Sequence, residues 1–108
     1  MNRGEVRWFT FARPDKRRPV LVLTRNSVIG VLSRVTVAPI TTTIRGIPTE
    51  VVIGEDEGLR QPSAVNLDNI QTVPRNDIGQ FIGALSPARM RHVEAAIAFA
   101  LGFDETVQ

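Results

Sequence analysis

The N-terminal residues alternate between apolar and polar with a period of two, whereas the last twenty or so repeat their apolar positions every three or four. In GEVRWFTF (4–11), Val6, Trp8 and Thr10 fall on one face and Glu5, Arg7, Phe9 and Phe11 on the other, which predicts an amphipathic strand. ARPDKRR (12–18) reads as a turn or loop. PVLVLT (19–24) predicts a second, more buried strand with Pro19 at its first position, where a missing N–H is tolerated. RNSVIGVLS (25–33) is a polar-edged connection around Gly30, RVTVAPI (34–40) a third strand, TTTIRG (41–46) a turn and IPTEVVI (47–53) a fourth strand. GEDEGLRQP (54–62), rich in glycine and acid, predicts an exposed loop. AVNLDNIQTV (64–73) reads as one strand, or two short ones broken near Asp68 and Asn69, and DIGQFIGAL (77–85) adds another.

The C-terminal segment carries helix punctuation. Ser86 is a natural N-cap, Pro87 suits the first helical position and Gly102 stands where a C-cap glycine belongs. Between them Met90, Val93, Ile97 and Leu101 form one apolar stripe, predicting a helix that docks on a sheet. His92 lies off that stripe and reads as a surface residue. The expected architecture is therefore mainly β, largely antiparallel, closed by one C-terminal helix.

Length and composition narrow the class. The 108 residues, 43% of them hydrophobic, suit a single domain over 1–108 with its own core. No apolar run approaches the roughly 18 residues of a membrane span, and MNRGEVRW lacks an apolar signal core, which predicts a cytoplasmic protein. The absence of cysteine rules out disulfide and thiolate chemistry, and one histidine leaves no multi-histidine metal site. Thirteen cations face eleven acids, but residues 1–45 hold nine of the cations and only Glu5 and Asp15 of the acids. Such one-sidedness suits a polyanion, and arginine in particular suits bidentate phosphate contacts; its plainer reading is a solvated basic surface.

Three stretches in fixed order, RGEVRWF, RRPVLVLTRN, and APITTT followed after a gap by AVNLDNIQTV, together with a helix ending in ALGF, resemble the MazF/PemK family of toxin endoribonucleases over nearly the whole chain. The resemblance implies an SH3-like β-barrel of the MazF/PemK/CcdB type, normally a homodimer. It also implies metal-independent, cofactor-free cleavage of single-stranded RNA and silencing by a cognate antitoxin. The family's Arg before the second-strand Pro matches Arg18, and its Thr after the third strand matches Thr41. The acid assigned to proton transfer in the PemK branch matches Asp68. Where PemK carries Arg two residues earlier, this chain has Asn66, which shifts weight onto Arg18. The first loop is shorter than in other members, which implies a different sequence preference. Arg7, Arg13, Lys16, Arg17, Thr42, Thr43 and Asn66 complete the candidate RNA-binding set.

The implied chemistry can be argued from side chains. The substrate's 2′-hydroxyl attacks the adjacent phosphorus in line, leaving a 2′,3′-cyclic phosphate and a 5′-hydroxyl, so the enzyme needs only to position the phosphate, move protons and stabilise charge. Arg18 offers two parallel hydrogen bonds as charge builds but is a poor base. Asp68 is the better base, provided that partial burial raises its pKa, and Thr41 supplies a hydroxyl donor that Thr42 or Thr43 could replace. Each residue has a plainer role: Arg18 in a salt bridge with Asp15 or Glu5, Thr41 to Thr43 in a local turn, Asp68 in an Asx turn, and Trp8 in the core rather than under a base. Two other functions share the barrel: a gyrase-poisoning toxin and a non-catalytic RNA-binding module.

Overall fold

Alternation along the first strand is realised as an antiparallel pair: β1 (Glu5–Phe11) runs against β2 (Lys16–Val22), with Val6 opposite Leu21, Trp8 opposite Pro19 and Phe9 opposite Arg18. The structure, a computed structural model, describes residues 1–11, 16–103 and 105, Lys16 by its backbone alone. A short helix α1 (Asn26–Ile29) interrupts the connection to β3 (Arg34–Thr41). After it come β4 (Glu50–Ile53), β5 (Ser63–Asn66), β6 (Gln71–Pro74) and β7 (Ile78–Ala84), then helix α2 (Pro87–Ala100). All pairings are antiparallel; the sheet runs β4-β5-β3-β2-β1-β7, with β6 also on β3. The mainly β, barrel-like fold with a C-terminal helix is thus present, and among the described residues the end strands β4 and β7 do not pair, so the barrel is open.

β2 and β3 bury side chains on both faces, which explains their unbroken apolar runs. Leu21, Ala38 and Ile40 join Val6 and the α2 residues Met90, Val93 and Ala96 in one cluster. Val20, Val22, Val35 and Val37 join Phe9, Ile29 and Val73 in a second. Each fully buried aliphatic side chain of this kind contributes about 1.5–3 kcal/mol. AVNLDNIQTV breaks where expected: a 3-10 turn, Leu67–Asn69, separates β5 from β6.

The helix signals hold. Ser86 Oγ accepts the Arg89 N–H at 3.1 Å, a cap worth about 1 kcal/mol. Gly102, with φ of +74°, closes a Schellman turn in which the Phe103 N–H reaches the Ala98 carbonyl at 2.8 Å. Leu101, the C-cap residue still bonded to the Ile97 carbonyl, is 57% exposed rather than part of the buried stripe, and Ala96 is buried with Met90 and Val93.

Two further expectations are corrected. Lys16 to Arg18 are strand rather than loop, and Pro19 is the fourth residue of β2. Its missing N–H is tolerated because pairing with β3 covers only Val20–Val22, leaving an open edge at Pro19. The acid-rich stretch 54–62 is not simply an exposed loop. Its Glu57 is buried, accepting the Gly54 N–H at 2.7 Å across a 3-10 turn, Glu55–Glu57.

Candidate functional site

Where β2 runs past its pairing with β3, Arg17 and Arg18 border depressions of about 660, 400 and 330 Å³, and Arg18 lines all three. The largest also takes in Trp8, Arg17 and Thr41 to Thr43. The second holds Phe11 and Asp68, and the third Thr41, Arg45 and Asn66. Arg18, Thr41 and Asp68, distant in sequence, are therefore gathered around one guanidinium. The register explains why Arg17 and Arg18 diverge: Arg18 stands opposite Phe9, whereas Arg17 is opposite Thr10 and so shares a face with Trp8.

Local hydrogen bonds hold the threonine turn and the acid in place. Thr41 Oγ1 accepts the Thr43 N–H at 3.2 Å, the turn-type bond expected of such residues, and its own O–H stays available to donate. Glu50 accepts the N–H groups of Arg45 and Gly46 on one oxygen, at 2.9 and 3.1 Å, tying the turn to β4. The Asx turn belongs to Asn66 rather than Asp68: Asn66 Oδ1 accepts the Asp68 N–H at 3.0 Å. Asp68 is exposed rather than partly buried, and its Oδ2 accepts the hydroxyl of the buried Thr49 at 2.6 Å.

Sequence reasoning missed the far wall of the largest depression. Leu59, Arg60 and Gln61, from the stretch read as acid-rich, line it together with Gly58. Two glycines lock that stretch onto β7. A Cβ at Gly58, whose φ is +87°, would come within 2.5 Å of the Ile82 carbonyl oxygen, and one at Gly83 would overlap the Glu57 carbonyl oxygen. GLRQ carried one local signal, a cation amid acids, but nothing in the sequence says which strand the loop packs upon.

Other expected residues lie elsewhere. Arg7 does not join the groove; its Nε donates to Glu5 Oε1 at 2.7 Å and its Nη1 to the Gly79 carbonyl at 3.0 Å. That ion pair removes Glu5 as a partner for Arg18, and Asp15 lies outside the described residues. Burial opposes the Glu5 charge, but hydrogen bonds from Arg7 and the Asn2 backbone and the charges of Arg7 and the N-terminus outweigh it, so the pKa falls below the ordinary 4.5. Arg13 and the Lys16 side chain also lie outside what is described. Trp8, expected in the core, is only half-buried and faces the groove, while His92 is exposed on α2. Among the described residues no group of three or more His, Cys, Asp or Glu is placed to hold a metal ion. No helix among them is long and apolar enough to cross a membrane.

Residues 2–101 match the family described as PemK-like, MazF-like toxin of type II toxin-antitoxin system. The chain is 52% identical over 91 residues, 84% of each chain, to Endoribonuclease MazF3 of Mycobacterium tuberculosis. Among solved structures it resembles the Mycobacterium tuberculosis toxin MazF-mt6, with TM-score 0.85 and 44% identity over 91% of this chain and 96% of that one. A mycobacterial endoribonuclease in complex with its cognate antitoxin also aligns with TM-score 0.85, at 32% identity over 94% and 95% of the two chains.

Proposed function

The chain belongs to the PemK-like, MazF-like toxins of type II toxin–antitoxin systems and is an endoribonuclease, and from that premise we propose that it cuts single-stranded RNA in the cytoplasm by metal-independent transesterification, as one domain spanning residues 1–108. The observation that carries this reading is the position of Arg18 at the junction of all three depressions, with Thr41 and Asp68 on adjoining walls. A scissile phosphate seated on Arg18 receives two charge-assisted hydrogen bonds as negative charge develops on its non-bridging oxygens. Thr41 donates its hydroxyl to the same group. Asp68 lacks the partial burial expected of it, but among the described residues it is the one carboxylate lining the depression it shares with Arg18 and is oriented by the Thr49 hydroxyl, and on that placement it takes the proton of the attacking 2′-hydroxyl. The new bond joins O2′ to phosphorus, the bond to O5′ breaks, and the departing oxygen takes a proton from solvent.

Relatives named as endoribonucleases set the gyrase-poisoning and non-catalytic readings aside. Following the relative seen with its antitoxin, an acidic or apolar antitoxin segment would occupy the same cationic groove, and the toxin would act as a homodimer. The exposed Phe81, Phe99, Leu101 and Phe103 supply apolar surface for such contacts. An antitoxin that leaves RNA affinity unchanged would exclude occupancy of the groove.

The test is a short RNA cut in excess EDTA and analysed by mass spectrometry. The upstream fragment should carry the cyclic phosphate, and 2′-deoxy substitution at the cleaved nucleotide should abolish cutting while preserving most binding. A 5′-phosphate on the downstream fragment, or loss of activity with EDTA, would make water the nucleophile and remove these roles.

A further inference from the structure

The phosphate chemistry of Arg18, Thr41 and Asp68 leaves one prominent feature of the groove unused. The Arg17 guanidinium carbon lies 4.1 Å above the centre of the Trp8 ring, in the largest depression. Pairing of Trp8 with Pro19 and of Thr10 with Arg17 makes Trp8 and Arg17 diagonal neighbours on one face, so the stack is built into the β1–β2 ladder. Trp8 is half-buried and Arg17 is exposed, so the pair offers a flat, cationic surface to the groove. Arg60 and Gln61, on the far wall of the same depression, add polar groups that can hydrogen-bond a base edge or a phosphate. At about 660 Å³ the space is ample for a nucleobase and its sugar-phosphate.

We propose that Trp8 and Arg17 form a stacking platform that holds one unpaired nucleobase of the RNA, flanking the phosphate seated on Arg18. The inference rests on the RNA-cleaving reading above and deepens it by assigning a base subsite. Every nucleobase has a π face, so the stack itself supplies affinity and register, while Arg60 and Gln61 are placed to discriminate among bases. An aromatic ring under a guanidinium favours this occupant over a bare phosphate, which needs the cation but gains nothing from the indole.

The experiment uses an RNA oligomer made uncleavable by a 2′-deoxy substitution at its cut position, with a single abasic site moved along it. Trp8 is the only tryptophan and there is no tyrosine, so intrinsic fluorescence reports directly on the platform. At one abasic position, binding to the wild-type protein should weaken about 5- to 150-fold, the effect of losing one stacked base, and the change in Trp8 emission should shrink. In Trp8→Ala and in Arg17→Ala the penalty at that same position should be largely gone, with each variant binding the intact oligomer more weakly. Arg17 is exposed, so Arg17→Ala keeps the fold and decides the matter even where Trp8→Ala does not. Abasic penalties that are the same in wild type and Arg17→Ala at every position would overturn the platform. Failure of the wild-type protein to cut the all-ribose parent would instead overturn the RNA-cleaving reading beneath it.

Discussion

Replacing Arg18 by alanine separates catalysis from folding because the residue's structural and chemical stakes differ so much. Its side chain is exposed, and β2 has no β3 partner at that position, so truncation opens no cavity and breaks no buried hydrogen bond. Surface changes of this kind alter stability by no more than about 0.5 kcal/mol, small against the 5–15 kcal/mol of a typical domain. Loss of a preorganised donor to the developing phosphorane charge, by contrast, raises the barrier by about 2.7–4 kcal/mol, or 10²- to 10³-fold in rate. The assay is cleavage of a fluorogenic RNA under single-turnover conditions in EDTA, paired with urea melts of each variant. Arg18→Ala should lose at least about 10²-fold in rate at an unchanged urea midpoint. Arg18→Lys should restore only part of it, because a point charge does not reproduce the two-pronged donor. Arg34→Ala is the control: Arg34 donates to the Thr72 carbonyl at 3.0 Å away from the groove, so its loss should leave cleavage intact. A folded Arg18→Ala protein that cuts at the wild-type rate would refute the assignment, whatever its binding.

Three other outcomes are expected. Asp68→Asn keeps an acceptor for Thr49 but cannot take a proton, so single-turnover cleavage should fall about 10²- to 10⁴-fold with the fold retained; undiminished cleavage would reduce Asp68 to a clamp on its turn. Gly83→Ala drives a methyl group into the Glu57 carbonyl and should cost about 1–3 kcal/mol, seen as a Tm lower by several degrees; an unchanged melting curve would show that the loop is not pressed onto β7 as described. The pKa of Glu5 is depressed in the folded state, so its charge stabilises the protein above pH 4.5 and that contribution is lost as the pH falls through the folded-state value. Glu5→Gln should therefore have a lower urea midpoint than wild type at pH 7 and approach it as the pH falls below 4.5 and the folded-state carboxylate protonates, and a difference that does not change with pH would contradict the shift.

Local chemistry made the elements legible without the structure. Ser86, Pro87 and Gly102 define α2 because capping depends on residues within a turn of the helix end, and strand alternation records which faces are buried. Arg18 and Thr41 stand out as candidates because each sits in a short stretch, RRP and PITTT, whose order along the chain carries the family resemblance. Long-range placement was not legible. Whether Lys16 to Arg18 were loop or strand depended on partners in β1, and whether Leu101 was buried depended on what the last turn of α2 packs against. Glu57 looked like one more exposed acid until its bond to Gly54 and the interlocking of Gly58 and Gly83 with the β7 region drew the loop inward, making Arg60 part of the groove. The pairing of Trp8 with Arg17 likewise exists only in the β1–β2 register. Most elements, much of their buried faces and the stretches that carry the family resemblance are legible from the chain alone, since these are encoded within a few residues. Only tertiary structure decided which wall faces Arg18 and which aromatic ring lies open beside it, because strand register and backbone interlocking join residues that no local pattern connects.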